Sequence, residues 1–438
     1  MVRQEPAKLL SPVRIWVSPF LFFVIDIKTS IRLLSELTLF TPVIRTEIRC
    51  CSAFFKYFPI RHVHHIIDNM KNIIFIFGTR PEIIKLAPVI LELRKYPKDY
   101  NVIICNTEQQ KELSNQTLAY FGLKADINLD CMRENQTLAG VQAKILSSLE
   151  EVFNTREIDA TIVQGDTMTV LCGALISFYH KIPVYHVEAG LRSYDIFEPF
   201  PEEVMRQMTS RVADLHFAPT VVNKEALLKE NISEDKIHVV GNTVIDALFC
   251  LSDEVVEQSK QFFIDKGVKI DDKLVLITAH RRENHGERID RILDAIEYLA
   301  KEYSDHTFVI PVHPNPNVKN KIHSRLEKYE NIKLLTPLDY PYLVYLMKHS
   351  KLILTDSGGI QEEAPSFNCP TLVMRYETER TEGIEAGVST LVGADYDKII
   401  KLSSDILSKP MNETRLKAKN PYGDGTASKQ IEAIIRNK

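Results

Sequence analysis

Three acidic residues in the first half of this chain stand just beyond apolar runs. They are Asp166 in Gly165-Asp166-Thr167, Glu188 in His186-Val187-Glu188-Ala189-Gly190-Leu191-Arg192, and Glu202 in Pro201-Glu202-Glu203. Carboxylates gathered in one cleft raise one another's pKa, which suits them to take and return a proton near neutral pH. Each also has a plainer reading. An Asp after a strand is a common helix N-cap. Adjacent glutamates point to different faces of a helix, so one of Glu202 and Glu203 is expected in solvent. Arg206 lies one helical step further on.

The second half holds groups suited to an anion. Asp356-Ser357-Gly358-Gly359-Ile360-Gln361-Glu362-Glu363 follows an apolar run and opens a helix. Two glycines let a pyrophosphate approach the backbone amides of a helix N-terminus. Glu363, more than one turn later, can reach ribose hydroxyls. His280-Arg281-Arg282-Glu283 sets a histidine and two arginines at another helix start, and His313 sits in a proline-stiffened loop, Pro311 to Pro316. Near the amino end, Gly78-Thr79-Arg80-Pro81-Glu82 has capping-box spacing with proline in the first turn. Capping does not explain Arg80, because a helix dipole disfavours a cation there unless an anion shares the site. Lys85 follows just over one turn later. Arg375, Glu379, Arg380 and Glu382 form a last charged cluster.

These segments need elements to carry them. Apolar runs at 73–77, 102–105, 160–164, 184–187, 215–218, 237–240, 274–278, 307–311, 332–335, 352–355, 371–373 and 389–392 read as strands. Amphipathic stretches at 81–95 and 289–303 read as helices between them. Continuous apolar strands alternating with helices predict parallel sheets covered on both faces. Twelve strands exceed one comfortable doubly wound sheet, so the chain divides into two of about six. The fold class is therefore α/β, with two Rossmann-like doubly wound domains facing a central cleft. The division falls at Gly241-Asn242-Thr243, giving domains 70–241 and 242–425. In such sheets ligands bind beyond the carboxyl ends of the strands, where every polar cluster above lies.

At 438 residues, 45% apolar and 26% charged, the chain has the composition of a soluble globular protein of two domains. A net charge of −4 leaves no nucleic-acid footprint. Seven cysteines without metal spacing read as reduced thiols in the cytoplasm, with no metal. Residues 1–69 differ from the rest. Their apolar run, Trp16 to Ile25, is too short to span a bilayer and precedes no small-residue cleavage site. They read as an extension before a natural start at Met70.

The blocks GTRPE, GDT, HVEAGLR, PEE, HRREN, PVHPNP, TDSGGIQEEAP, ETER and NPYGDG, in this order from Met70 onward, closely resemble those of the non-hydrolysing UDP-N-acetylglucosamine 2-epimerases. The resemblance implies a glycosyltransferase-B-like architecture whose last helix, 426–438, returns to the first domain. It implies a cytoplasmic homodimer that acts on a UDP-sugar without external cofactor, membrane or nucleic acid, and supplies surface-polysaccharide precursors. The implied reaction eliminates UDP across C1–C2 to give 2-acetamidoglucal, then adds it back as the proton returns on the other face. Asp166, Glu188 and Glu202 would be the proton-transfer and sugar-site acids. His280, Arg80 and Lys85 would lie near the pyrophosphate and sugar. Ser357, Gly358, Gly359 and Glu363 would hold UDP, with Arg206, Arg281, His313 and Arg380 as further substrate contacts. One departure is Leu343, where relatives often place an aromatic residue near the uracil. A hydrolysing epimerase, a glycosyltransferase of the same architecture and a plain nucleotide-sugar-binding module are the rival readings. None of them returns a UDP-sugar exchanged at C2.

Overall fold

Strand β1 (Lys71–Phe77) reads KNIIFIF, and its residues from Ile73 to Phe77 are wholly buried. A strand apolar on both faces must be covered on both, and here helices do so. The computed structural model describes residues 70–133 and 136–438. Around β1 assemble β2 (Tyr100–Asn106), β3 (Ile127–Asn128), β4 (Ala160–Gln164), β5 (Val184–Val187), β6 (Leu215–Ala218) and β7 (Ile237–Val239), in the order β3-β2-β1-β4-β5-β6-β7. The second sheet contains β8 (Leu274–Thr278), β9 (Thr307–Pro311), β10 (Ile332–Leu335), β11 (Leu352–Thr355), β12 (Thr371–Val373) and β13 (Ser389–Leu391), in the order β10-β9-β8-β11-β12-β13. All pairings within the two sheets are parallel.

Each of the twelve expected strands is present. The sequence reading missed β3, which has two residues and therefore no apolar run to detect. Both sheets grow outward from their first strand in one direction and then reverse. The reversal lies between β1 and β4 in the first sheet and between β8 and β11 in the second. Loops on either side of such a switch point splay apart and leave a crevice at the strand ends. The loops leaving these four strands carry Gly78, Gly165-Asp166, His280 and Asp356-Ser357-Gly358-Gly359.

The helix Ala427–Arg436 packs against the helix Arg80–Leu93 beside β1, burying Ile431 and Ile435 completely. Its start is pinned by Asp246, whose carboxylate accepts the N–H groups of Ala427 (3.2 Å) and Ser428 (2.8 Å) and the Ser428 hydroxyl (2.6 Å). A carboxylate at a helix N-terminus satisfies orphan donors and complements the dipole.

No helix among the described residues is long and apolar enough to cross a membrane. The five described cysteines are all free thiols. Residues 1–69, with the Trp16 run, Cys50 and Cys51, lie outside the described residues.

Candidate active site

The turn after β1 brings its backbone against the side chains of Thr107, Gln109 and Thr169. A β-carbon on Gly78 would lie 2.2 Å from the Thr107 hydroxyl oxygen, so only glycine fits. Glu82 then closes the helix start by accepting the N–H groups of Gly78 (3.1 Å) and Thr79 (2.7 Å), and also takes the Thr167 hydroxyl (2.9 Å). One buried carboxylate thus joins the loops after β1 and β4. Burial raises its pKa to about 7 despite these bonds. Arg80 is half-exposed, and its guanidinium makes no hydrogen bond or ion pair among the described residues.

Lys85 points from the next turn of that helix to Glu188, at the end of β5, and forms an ion pair with it. Glu188 has a left-handed backbone (φ 62°), a conformation that a non-glycine residue adopts at a cost and that aims its side chain. Its carboxylate also accepts from Gln164 Nε2 and, at 3.4 Å, from Asn242 Nδ2. Burial alone would raise the Glu188 pKa. Lys85, with Arg380 and Arg206 nearby, outweighs it and holds the carboxyl below its ordinary value. Asp166 goes the other way. Burial pushes its pKa up, with Glu188 adding to the rise, although Arg206 forms an ion pair with it. Two neighbouring carboxyls pushed apart in pKa are suited to opposite halves of a proton transfer.

Arg206 is held in turn by Glu203 at 3.3 Å. Glu203 is fully buried and accepts the N–H groups of Ser193 (2.9 Å) and Tyr194 (3.2 Å) and the Gln207 amide (2.7 Å). Of the adjacent glutamates, Glu203 is therefore the anchored one. Glu202 is half-buried with no side-chain hydrogen bond among the described residues. His186 donates through Nε2 to the Gly165 carbonyl (2.7 Å), and burial lowers its pKa to about 4. It is a neutral strut under the Asp166 turn.

Across the cleft, Asp356 is fully buried at the end of β11. One of its oxygens accepts the N–H groups of His280 (2.9 Å) and Arg281 (2.8 Å) and the Asn284 amide (3.0 Å). The other lies 3.2 Å from His280 Nδ1. The His280 ring stacks on His313 with centroids 5.8 Å apart. Burial lowers the His280 pKa while Asp356 opposes the fall. Arg281 and His313 are exposed at this edge. Gly359 is open to solvent, and a β-carbon on Gly358 would come within 3.2 Å of the Arg380 guanidinium carbon. Arg380 therefore lies over the Ser357-Gly358-Gly359 helix start, tied to Glu362 at 2.9 Å. Glu363 is buried and has no hydrogen-bond partner among the described residues. Burial, with Glu362 beside it, raises its pKa to about 8. Leu343 is half-buried against the core of the same domain.

A cleft of about 760 Å³, open mouth included, is walled by Glu188, Arg192, Asn242, Glu362 and Arg380. The structure thus brings Asp166, Glu188, Lys85 and Arg206 together on the side of the first sheet, and on the side of the second pairs His280 with His313 and Gly358 with Arg380, with Ser357 and Glu363 at the two ends of the short helix Gly358–Glu363. Arg80, Glu202, Arg281 and Gly359 are the open members. Sequence reasoning passed over Gln164, Asn242 and Glu362 as site residues. Gln164 is the last residue of an apolar strand, and Asn242 stands in a turn. Glu362 was the neighbour of the glutamate chosen instead.

Two parallel-sheet α/β domains with polar clusters at the carboxyl ends of both sheets define a glycosyltransferase-B-like protein. The model of the UDP-N-acetylglucosamine 2-epimerase family matches residues 92–436. The chain is 45% identical over 380 residues to the UDP-N-acetylglucosamine 2-epimerase of Neisseria meningitidis, covering 84% of this chain and all of that one. It is 44% identical to the Bacillus subtilis enzyme of the same name, over 82% of this chain and 93% of that one. The N. meningitidis crystal structure bound to UDP-GlcNAc superposes with a TM-score of 0.73 at 44% identity, again over 84% of this chain and 100% of that one. The Methanocaldococcus jannaschii epimerase in complex with UDP-GlcNAc and UDP gives 0.68 at 36% identity, over 84% and 100%. The chain belongs to the UDP-N-acetylglucosamine 2-epimerase family, whose members are isomerases.

Proposed function

We propose that this protein interconverts UDP-N-acetylglucosamine and UDP-N-acetylmannosamine by elimination and re-addition of UDP. A carboxylate takes the C2 proton, and the C2–H electron pair forms the C1=C2 bond of 2-acetamidoglucal. The C1–O bond breaks with its electrons going to UDP. UDP then attacks C1 as a proton is delivered to the other face of C2. Glu188, held ionised by Lys85, is suited to accept the proton, and Asp166, whose pKa is raised, to carry one. Glu202 is the third acid on the sugar side. Arg80, Lys85, Arg206, His280, Arg281, His313 and Arg380 are assigned to the sugar and diphosphate. Ser357, Gly358 and Gly359 present backbone to the diphosphate, and Glu363 faces the ribose.

The observation that carries this reading is geometric: Asp166 and Glu188 stand at neighbouring strand ends, each ion-paired to its own cation, Arg206 and Lys85, with burial raising the Asp166 pKa and Lys85 lowering that of Glu188. A binding module has no use for such a pair. Turnover in deuterated water tests it. Deuterium at C2 of both recovered UDP-sugars is the expected result. Unlabelled UDP-sugar, or free N-acetylmannosamine with UDP as the sole product, overturns it. The resemblance supports three further assignments: a homodimer, a cytoplasmic location, and supply of surface-polysaccharide precursors.

A further inference from the structure

We propose that Asn242 is a positioning residue that couples the diphosphate site to the proton-transfer carboxylate, through the contacts Glu188–Asn242–Glu362–Arg380. This rests on the reading of Glu188 as proton acceptor and Arg380 as a diphosphate ligand. Asn242 lies between the last strand of the first sheet and the helix Thr243–Ala247, and is 4% exposed. Its side-chain oxygen accepts the Val244 N–H (3.1 Å), the usual bond of an Asn N-cap, and its own N–H donates to the Tyr422 carbonyl (2.7 Å). The backbone bond fixes the turn, and the Val244 bond to Oδ1 orients the side-chain amide with Nδ2 turned to the cleft. There it has two hydrogens and two carboxylates, one from each domain: Glu188 at 3.4 Å and Glu362 at 3.1 Å.

The other oxygen of Glu362 holds Arg380 Nε, and the Arg380 guanidinium covers the Gly358 helix start. That helix start is where an incoming diphosphate would sit. Glu362 on Nε, Glu379 on Nη1 at 3.4 Å and the diphosphate would therefore share one guanidinium, whose charge each partner draws from the others. When the diphosphate draws on Arg380, Glu362 leans more on its other side-chain donor, Asn242, and draws the amide towards itself. Glu188 then loses part of a donor that favours its ionised form. When the diphosphate site empties, Arg380 returns to Glu362 and the donor returns to Glu188. Asn242 thus makes the proton affinity of Glu188 depend on whether a diphosphate occupies its site.

Two substitutions separate this from a capping role. Asn242→Ser keeps the cap but is too short to bridge both carboxylates. Asn242→Asp keeps cap and shape but replaces the donor with a third negative charge. The groups that face Glu188 are Lys85, Gln164, Asp166, His186, Arg206, Glu362 and Arg380. All are retained in both variants, so a shift in the pH profile reports the missing amide. We expect kcat to fall about ten- to a hundredfold in Asn242→Ser, the range for losing a hydrogen bond to a charge, and further in Asn242→Asp. The acidic limb of kcat/KM should move to higher pH in the same order, while UDP affinity by calorimetry stays within a few fold. A serine variant with unchanged kcat and an unmoved limb overturns the coupling, as does one that loses only thermal stability. A wild-type protein that exchanges no C2 hydrogen overturns the epimerase reading, and the coupling falls with it. Exchange in the wild type beside an indifferent serine variant overturns the coupling alone.

Discussion

Lys85 and Glu188, 103 residues apart in sequence, form a largely buried ion pair between the first helix and the end of β5. Burial disfavours the charge on Lys85, yet Glu188 and Glu362 together hold its pKa above the ordinary value. Each partner keeps the other charged. Lys85→Met retains most of the stem but removes the ion-pair partner of a buried carboxylate, leaving it only the Gln164 and Asn242 amides, a loss of about 3–5 kcal/mol in stability. Glu188 has a lowered folded pKa, so its stabilising contribution is present above its ordinary value of 4.5 and is lost as pH falls through the lower folded value. The wild type should therefore melt well above Lys85→Met at neutral pH, with the gap closing in acid. The acidic limb of kcat/KM should move to higher pH in the variant. Equal melting temperatures across the pH range would show that the pair contributes nothing.

Amide substitution separates proton transfer from binding. Asp166→Asn, Glu188→Gln and Glu202→Gln keep shape and much of the polarity, but an amide cannot shuttle a proton. General acid–base help contributes about 10²–10⁴ in rate. In at least one of the three, kcat and C2 exchange should fall together by that order while UDP affinity stays within a few fold. Near-normal exchange in all three would place the base elsewhere. Loss of UDP binding in all three would make these carboxylates structural.

Glu363 carries a stability cost that its role would explain. Its pKa is raised to about 8 from an ordinary 4.5, so the unfolded chain ionises between those values while the folded protein does not. Stability contributed by the protonated form is complete below pH 4.5 and declines as pH rises towards 8. Glu363→Gln removes this loss. It should melt at least roughly 2–4 °C higher than the wild type near pH 8 and alike below pH 4.5. Glu363→Ala should weaken UDP binding at neutral pH by about 0.5–1.5 kcal/mol, the range for a neutral hydrogen bond. An unchanged UDP affinity by calorimetry would remove Glu363 from the site.

Residues 70–438 should turn over substrate without the preceding segment. Both sheets and all the candidate site residues lie there, and the N. meningitidis relative is covered completely while 84% of this chain is used. Expressing Met70–Lys438 and measuring kcat checks this. A large loss of activity or solubility would show that residues 1–69 contribute to the folded enzyme.

The sequence by itself determined the α/β class, the two sheets and the segments that build the site. Those are local properties: an apolar run of four or five residues marks a buried strand, and a glycine or capping residue marks the turn that follows. Since the polar clusters sit in those turns, their place at the strand ends followed too. β3 left no trace because two residues cannot make a pattern. The tertiary structure alone decided which charges face which. Glu202 and Glu203 are equivalent as text, yet Glu203 is buried among the N–H groups of Ser193 and Tyr194. Asp166 and Glu188 read as one kind of acid, and only Lys85 on one and burial of the other push their pKa values apart. Asn242 read as a turn residue, and became a bridge because Glu188 and Glu362 converge on it from 54 and 120 residues away. Secondary structure follows from neighbours along the chain, whereas proton affinity follows from solvent exclusion and charge within a few ångströms, which folding alone brings together.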